Sequence, residues 1–311
     1  MAVFSFLDKS SLIKYKRRKK KMEHITFLGP AGATFSHDAY NILAEIYGAP
    51  KVSETNCMPA SSNGEVLKKI LEHRGYGTIA METLAEGRVA EPLESFVDLL
   101  KNYTKTNDCP LRVVGAVRLR IHFCLMVQSV MTKQEITKII AHTKALGACR
   151  ERIASMGIQT VDAPSNGEAT RLVAENSEYA SFAALGPISA SEKYGLKVLG
   201  HSFEDREAIT TFFLIAPVEH KVHTGKENRI LVVFSTPHKP GGLVRALQPF
   251  EQENLNLIQI HSVHTGNCTY KFAIELEIKE SELESLGRAM TAFGSFVEKY
   301  LSFGPFEVLS R

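Results

Sequence analysis

The chain has 311 residues, 44% hydrophobic and 23% charged, with a formal net charge of +3. That is enough to bury a sizeable core and fill two or three domains. Its apolar runs are short, so no transmembrane helix is expected. Cys57, Cys109, Cys124, Cys149 and Cys268 are odd in number and lack CxxC spacing, which fits free thiols in a reducing cytoplasm better than a disulfide framework or a zinc site.

The charge is uneven. Residues 1–21 hold eight Lys or Arg against one Asp, a net of +7 that includes the run KYKRRKKK and leaves −4 for the rest. Such a run can bind nucleic acid or anionic lipid. The apolar MAVFSFL precedes the charge, the wrong order for a secretion signal. Met22 opens MEHITFLGP, a first strand, so residues 1–21 read as a disordered basic extension, with neither nucleic acid nor membrane as partner.

ITFLGP predicts a strand entering a turn, and AGATFSHDAYNILAEIYG a helix with apolar positions at helical spacing. EVLKKILEHRG predicts a helix, and YGTIAMETL a short strand into a polar loop. A strand-rich piece, RVVGAVRLRIHFCLMV, is followed by helices around ALGACRERIASMG and NGEATRLVAEN, with strands at IQTVDA and ASFAAL. EAITTFFLIAP, residues 207–217, has the composition of a buried strand that begins with two hydroxyls, Thr210 and Thr211. Alternation of strands and helices predicts an α/β fold. The polar stretch 218–228 marks a boundary, after which a βαββαβ order describes a ferredoxin-like unit over 226–311.

Three segments could carry chemistry. In FLGPAGATFSHDAY, glycines after a strand let backbone N–H groups approach an anion at a helix start, with Thr34 and Ser36 adding hydroxyls. In YGTIAMETLAEGRVAEPL, Glu82 and Glu86 follow a strand, where a carboxylate serves as general acid or base or is simply solvated. The third is the TTFF stretch itself.

The order and spacing of these segments, with the ferredoxin-like unit behind them, resemble the prephenate dehydratase family from about Met22 to the C-terminus. The family's segments have the forms GPxGTFS, GxxPIENSxEG and NxTRF, followed by an ACT domain with GAL and ESRP motifs. Gly29, Pro30, Gly32, Thr34, Phe35 and Ser36 keep the first; Glu82, Glu86 and Gly87 keep part of the second, with Thr83 and Leu84 at the Asn and Ser positions. Thr210 and Phe212 match the third, with Ala208 for Asn and Thr211 for Arg. AHTKALGACR resembles the segment HPQALxQC, keeping His142, Ala145, Leu146 and Cys149, and His122 resembles another family histidine.

The resemblance implies two α/β lobes around a cleft, like type 2 periplasmic-binding proteins, within 22–217. One lobe would comprise about 22–100 with 205–217, the other 101–204. It implies conversion of prephenate to phenylpyruvate in phenylalanine biosynthesis without metal or organic cofactor, in a homodimer or homotetramer. Thr210 and Glu82 would be catalytic, and Gly32, Thr34, Phe35, Ser36, Thr83, Thr211 and Phe212 would bind substrate. Because Thr211 cannot clamp a carboxylate as arginine does, Arg88, Arg118, Arg120 or Arg171 is a candidate replacement. In the ACT-like unit, Gly241, Gly242 and Leu243 stand near GAL, and the segment from Ile260 to His264, including His261 and Ser262, replaces ESRP. Loss of Glu and Arg there implies a weakened response to phenylalanine, or an ACT-like unit serving only dimerisation. Arogenate as substrate, decarboxylation with the ring hydroxyl retained, and a non-catalytic amino-acid sensor are the alternatives.

Overall fold

The computed structural model of the chain describes residues 23–84, 87–265 and 270–311. The basic extension, Glu86, Cys268 and the side chain of Arg88 lie outside the described residues. The first lobe contains β1 (Ile25–Thr26), α1 (Phe35–Tyr47), α2 (Asn63–His73), β2 (Tyr76–Thr83), β3 (Gly87–Arg88), α3 (Ala90–Asp98) and β4 (Leu111–Ile121). The second contains β5 (Cys124–Val127), β6 (Lys138–Ala141), α4 (Thr143–Ala148), α5 (Arg150–Met156), β7 (Gln159–Asp162), α6 (Asn166–Glu175), β8 (Phe182–Gly186), α7 (Ile188–Tyr194) and β9 (Lys197–Gly200). The chain then returns to the first lobe as β10 (Ala208–Pro217).

Local chemistry accounts for these elements. In α1 the residues Ala39, Tyr40, Leu43, Ala44 and Tyr47 recur at helical spacing and are buried. The Thr34 hydroxyl caps its start by accepting from the His37 N–H, and Gly48 ends it at a φ of 68°. The strand β10 lies between β2 and β4 and is covered on both faces. Phe212, Leu214 and Ala216 join the core around α1, while Phe213 and Ile215 join a second core with Phe96 and Phe306. Two-sided burial is why its sequence is nearly continuous in apolar residues.

The crossing point differs from the expected one near residue 100. The segment Leu111–Ile121 belongs to the first lobe's sheet, and the chain enters the second sheet only after His122 and Phe123. The strand-like sequence RLRIHFCLMV runs through the crossing without a Gly, Pro, Asn or Asp, so its switch between sheets is invisible in its composition. The two crossing strands are tied together: the Phe203 N–H donates to the Phe123 carbonyl, and the buried Glu204 carboxylate accepts from the Phe123 N–H and contacts the His122 ring.

The C-terminal unit contains β11 (Glu227–Ser235), α8 (Gly242–Gln252), β12 (Leu257–His264), β13 (Tyr270–Lys279), α9 (Leu283–Phe293) and β14 (Lys299–Ser310), in the spatial order β14-β11-β13-β12. One face packs Ile230, Val232 and Phe234 against Phe250 and Phe293 of the two helices. The opposite face packs Leu231, Val233, Phe303 and Phe306 against Met81, Phe96 and Phe213. In addition β14 runs parallel to β4, with Val308 opposite Ala116 and Leu309 opposite Val117, which joins both units in one sheet. Among the described residues no helix is long and apolar enough to cross a membrane.

Candidate functional site

The centre of the site is the antiparallel pair β2 and β10. Thr210 lies opposite Thr83, Thr211 opposite Glu82, and Phe212 opposite Ala80, so Met81 is the extra residue of a β-bulge. Side chains alternate across a strand, and one inserted residue reverses the face of all that follow. Ala80, Thr83, Thr210 and Phe212 therefore line the cleft. Met81 enters the core shared with the C-terminal unit, and Glu82 meets Arg229 and Gln259 of that unit.

The cleft holds a cavity of about 460 Å³, within the range of small-molecule sites. Three helix starts reach it: Thr34, Phe35 and Ser36 at α1, Asn63 at α2, and Ser165 and Asn166 at α6. Each helix is capped by a hydroxyl, Thr34, Ser62 or Ser165. The first N–H groups of a helix lack intrahelical acceptors and carry the positive end of its dipole, so such ends favour an anion; at α2 the Glu91 carboxylate, which also lines the cavity, already accepts from the Gly64 N–H. Lys144 and His142 line the same cavity, and the His142 N–H donates to the Asn166 side-chain oxygen. The Asn63 side-chain oxygen is buried without a hydrogen-bond partner among the described residues. The Thr210 hydroxyl makes no hydrogen bond among the described residues.

Asn63, Lys144, Ser165 and Asn166 were not singled out from sequence, although a signal existed. The tetrapeptide SNGE occurs twice, at 62–65 and 165–168. Each copy has the Ser-x-x-Glu form that starts a helix, one copy serves each lobe, and the two face the same cavity.

The lobes are closely apposed behind these residues. A side chain at Gly29 would meet Thr34 and Ser165, and one at Gly167 would meet Pro30. Across the same junction the Ser189 hydroxyl donates to the Asp38 carboxylate at 3.0 Å, and Lys193 reaches the Ala31 carbonyl. Burial pushes Asp38 up to about 6, against the lowering effect of the Ser189 hydrogen bond, and Glu192 raises it further. Burial, with Lys193 nearby, pushes His37 down from its ordinary value. The His37 ring accepts from the Gly32 N–H, which turns Gly32 to support the loop; it does not line the cavity.

Comparison with known proteins gives the chemistry its setting. Residues 25–220 match the family model described as prephenate dehydratase. The chain belongs to the prephenate dehydratase family. A prephenate dehydratase of Methanocaldococcus jannaschii is 30% identical over 75% of this chain and 84% of its own length. The structure of prephenate dehydratase from Arthrobacter aurescens in complex with L-Phe has a TM-score of 0.73 at 22% identity, covering 91% of this chain and 89% of that one. The quorum-quenching acylase GqqA has a TM-score of 0.73 at 20% identity, covering 93% and 98%. At these identities the structural likenesses speak to the fold, two periplasmic-binding-protein-like lobes followed by an ACT unit, and a fold can host more than one activity.

Set against the family's motifs, the expected residues divide. Thr34, Phe35, Ser36, Thr83, Thr210 and Phe212 share the cavity, whereas Glu82 and Thr211 lie outside it. Position 211 is buried on the face of Glu82, so a side chain there faces away from the cleft. Arg118 pairs with Glu277, Arg120 with Glu207, and Arg171 with Glu168 and Glu175; none of the three lines the cleft. Among the described residues Lys144 is the one lysine or arginine that does. His122 is at the lobe crossing and His142 at the cavity. The Cys149 thiol is pushed up to about 12, first by burial and then by Asp205 and Glu204, so it is an inert packing group.

In the ACT unit Gly241, Gly242 and Leu243 border a second cavity, of about 760 Å³, with Lys101, Lys271 and Lys299. His261 and Ser262 lie on β12 outside its lining.

Proposed function

We infer that the cleft converts prephenate to phenylpyruvate. Prephenate is a dianion with a ring hydroxyl. As its ring carboxylate leaves as carbon dioxide, the released electron pair enters the ring, the carbon–oxygen bond breaks, and the hydroxyl departs as water with a proton from solvent. The site must orient two carboxylates and hydrogen-bond the departing oxygen. The reading is carried by the three helix starts that converge on the cavity, two of them from the SNGE repeat, around the Thr210 hydroxyl.

Thr210 donates a hydrogen bond to the leaving oxygen, and Thr83 opposite supports it. The α1 start at Thr34, Phe35 and Ser36 and the SNGE starts at Asn63 and Asn166 hold the carboxylates, with Lys144 supplying the positive charge. Phe212 and Phe35 enclose the ring. Glu82 acts indirectly, through the strand on which Thr83 sits. The ACT cavity, in which Lys101, Lys271 and Lys299 outnumber the one lining carboxylate among the described residues, Glu298, favours a weakened phenylalanine response.

Incubation of the protein with prephenate at neutral pH, with product identified by mass spectrometry and Thr210→Ala run in parallel, tests this reading. Phenylpyruvate from the parent protein and none from the variant is the expected result. A decarboxylated product that keeps its hydroxyl, or no turnover, overturns it.

A further inference from the structure

Glu82 is held by the other unit of the chain. Its Oε2 accepts from Arg229 Nη1 at 3.1 Å and its Oε1 accepts from Gln259 Nε2 at 2.8 Å. Arg229 sits on β11 with its side chain 7% exposed, and also contacts Glu275, 1% exposed, at 3.4 Å and Glu277 at 3.8 Å. Arg118 of β4 binds Glu277 at 2.9 Å. Three carboxylates thus surround two guanidinium groups at the junction of the units, and Arg229 is the one that reaches Glu82.

We propose that Arg229 is a positioning residue for the cleft: by holding Glu82 on the far face of β2, it fixes the bulge that keeps Thr83 opposite Thr210. This rests on the cleft being the dehydratase site. The physical reason is register. Without the bulge, alternation would return Glu82 to the face of Ala80 and turn Thr83 away. A second carboxylate would then join Glu91 in a cavity built for a dianion. Thr211 is on the correct face to oppose Glu82 but has no charge, so the cation comes from a different unit. Removing it leaves Glu82 with Gln259 but no cation, near the buried Glu275, and a buried charge without its counter-charge is strongly unfavourable; slippage of the bulge is the available relief. Gln259 shares its face of β12 with His261, two residues along, so displacement of that strand is also transmitted to Glu82.

The test uses the full chain with Arg229→Met and Arg229→Lys, each checked for folding by circular dichroism and assayed with prephenate well below its melting temperature. Hydrogen exchange of the amides of 81–84 is followed in parallel. For Arg229→Met, kcat is expected to fall about tenfold or more with a smaller change in KM, and exchange in 81–84 to quicken by a similar factor, the signature of a lost transition-state alignment. Arg229→Lys, which keeps a charge there, is expected to recover at least about a third of the parent kcat, within the loss ordinary for a weaker hydrogen-bonding geometry. Folded Arg229→Met with kcat within about twofold of the parent, or Arg229→Lys no better than Arg229→Met, overturns the proposal. If the parent protein leaves prephenate unchanged, the assigned reaction fails, yet the exchange measurement still decides on Arg229: unaltered exchange in 81–84 refutes its positioning role.

Discussion

The two faces of the β2 and β10 pair carry opposite kinds of chemistry within one residue of each other. Toward the cleft stand Ala80, Thr83, Thr210 and Phe212, neutral groups around a cavity at which three helices begin. Toward the C-terminal unit stand Met81, Glu82, Thr211 and Phe213, packed and ion-paired in a core that both units share. Glu82 is kept on the face where a guanidinium can answer it, and the cleft face of the strand pair keeps hydroxyls and apolar groups; the carboxylate that does line the cavity, Glu91, accepts from the Gly64 N–H. A single inserted residue in β2 sets this division, so the strand pair serves both as the cleft floor and as the contact between units.

The sharpest way to break the comparison is to remove one methyl-sized polar group from each face. Thr210→Val is expected to lower kcat roughly 100-fold or more, the usual scale for losing an aligned proton or hydrogen-bond donor, whereas Thr211→Val should lower it less than about threefold. Steady-state kinetics on both variants checks this, and equal losses would mean that the faces are not separated as described.

A second test concerns the apposed lobes. Burial holds the Asp38 carboxyl at about 6, above its value in an unfolded chain of about 3.9. The folded protein therefore binds more protons than the unfolded one between these values, and stability falls as pH rises from about 4 to about 6, then stays level. Asp38→Asn should remove that slope and raise stability at pH 7 by roughly 3 kcal/mol, less whatever the Ser189 contact contributes. Chemical denaturation of both proteins at about pH 4.5, inside the roughly 4 to 6 window, and at about pH 7, above it, would show it; parallel pH profiles would not fit.

Smaller effects separate the two cavities. Lys144→Met should raise KM for prephenate about tenfold, the worth of one charge-assisted contact, while leaving the ACT cavity untouched. Phenylalanine titrated calorimetrically into the protein should show no saturable binding near about 1 mM, a level that corresponds to only about 4 kcal/mol of affinity. A tight isotherm accompanied by loss of activity would mean that the lysine-rich cavity still takes that amino acid.

Much of this was legible beforehand. The α/β alternation, the βαββαβ order of the C-terminal unit and the candidate residues Thr34, Phe35, Ser36 and Thr210 could be read from glycine placement, helical spacing and motif order. The SNGE repeat was equally plain in the chain, and its meaning emerges only when both copies meet at one cavity. Glu82 shows the opposite limit. Counting alternate residues along YGTIAMETL puts it on the face of Ala80, and a bulge, which depends on pairing with β10, moves it off. The lobe crossing at His122 and Phe123 escaped for a related reason: a strand-like run that passes through two successive sheets without a turn residue looks like one strand.

What the sequence determined by itself is therefore local: which segments are strands or helices, where helices begin, and which hydroxyls and glycines stand at those beginnings. These follow from capping, periodicity and backbone freedom within a few residues. What only the tertiary structure decided is which face each of those residues takes and which charge stands near which. The pairing of Glu82 with Arg229 joins residues 147 apart in the chain, and the sheet that carries both is closed by β14 against β4. Such pairings depend on register and on the packing of one unit against another, and no window of neighbouring residues contains that information.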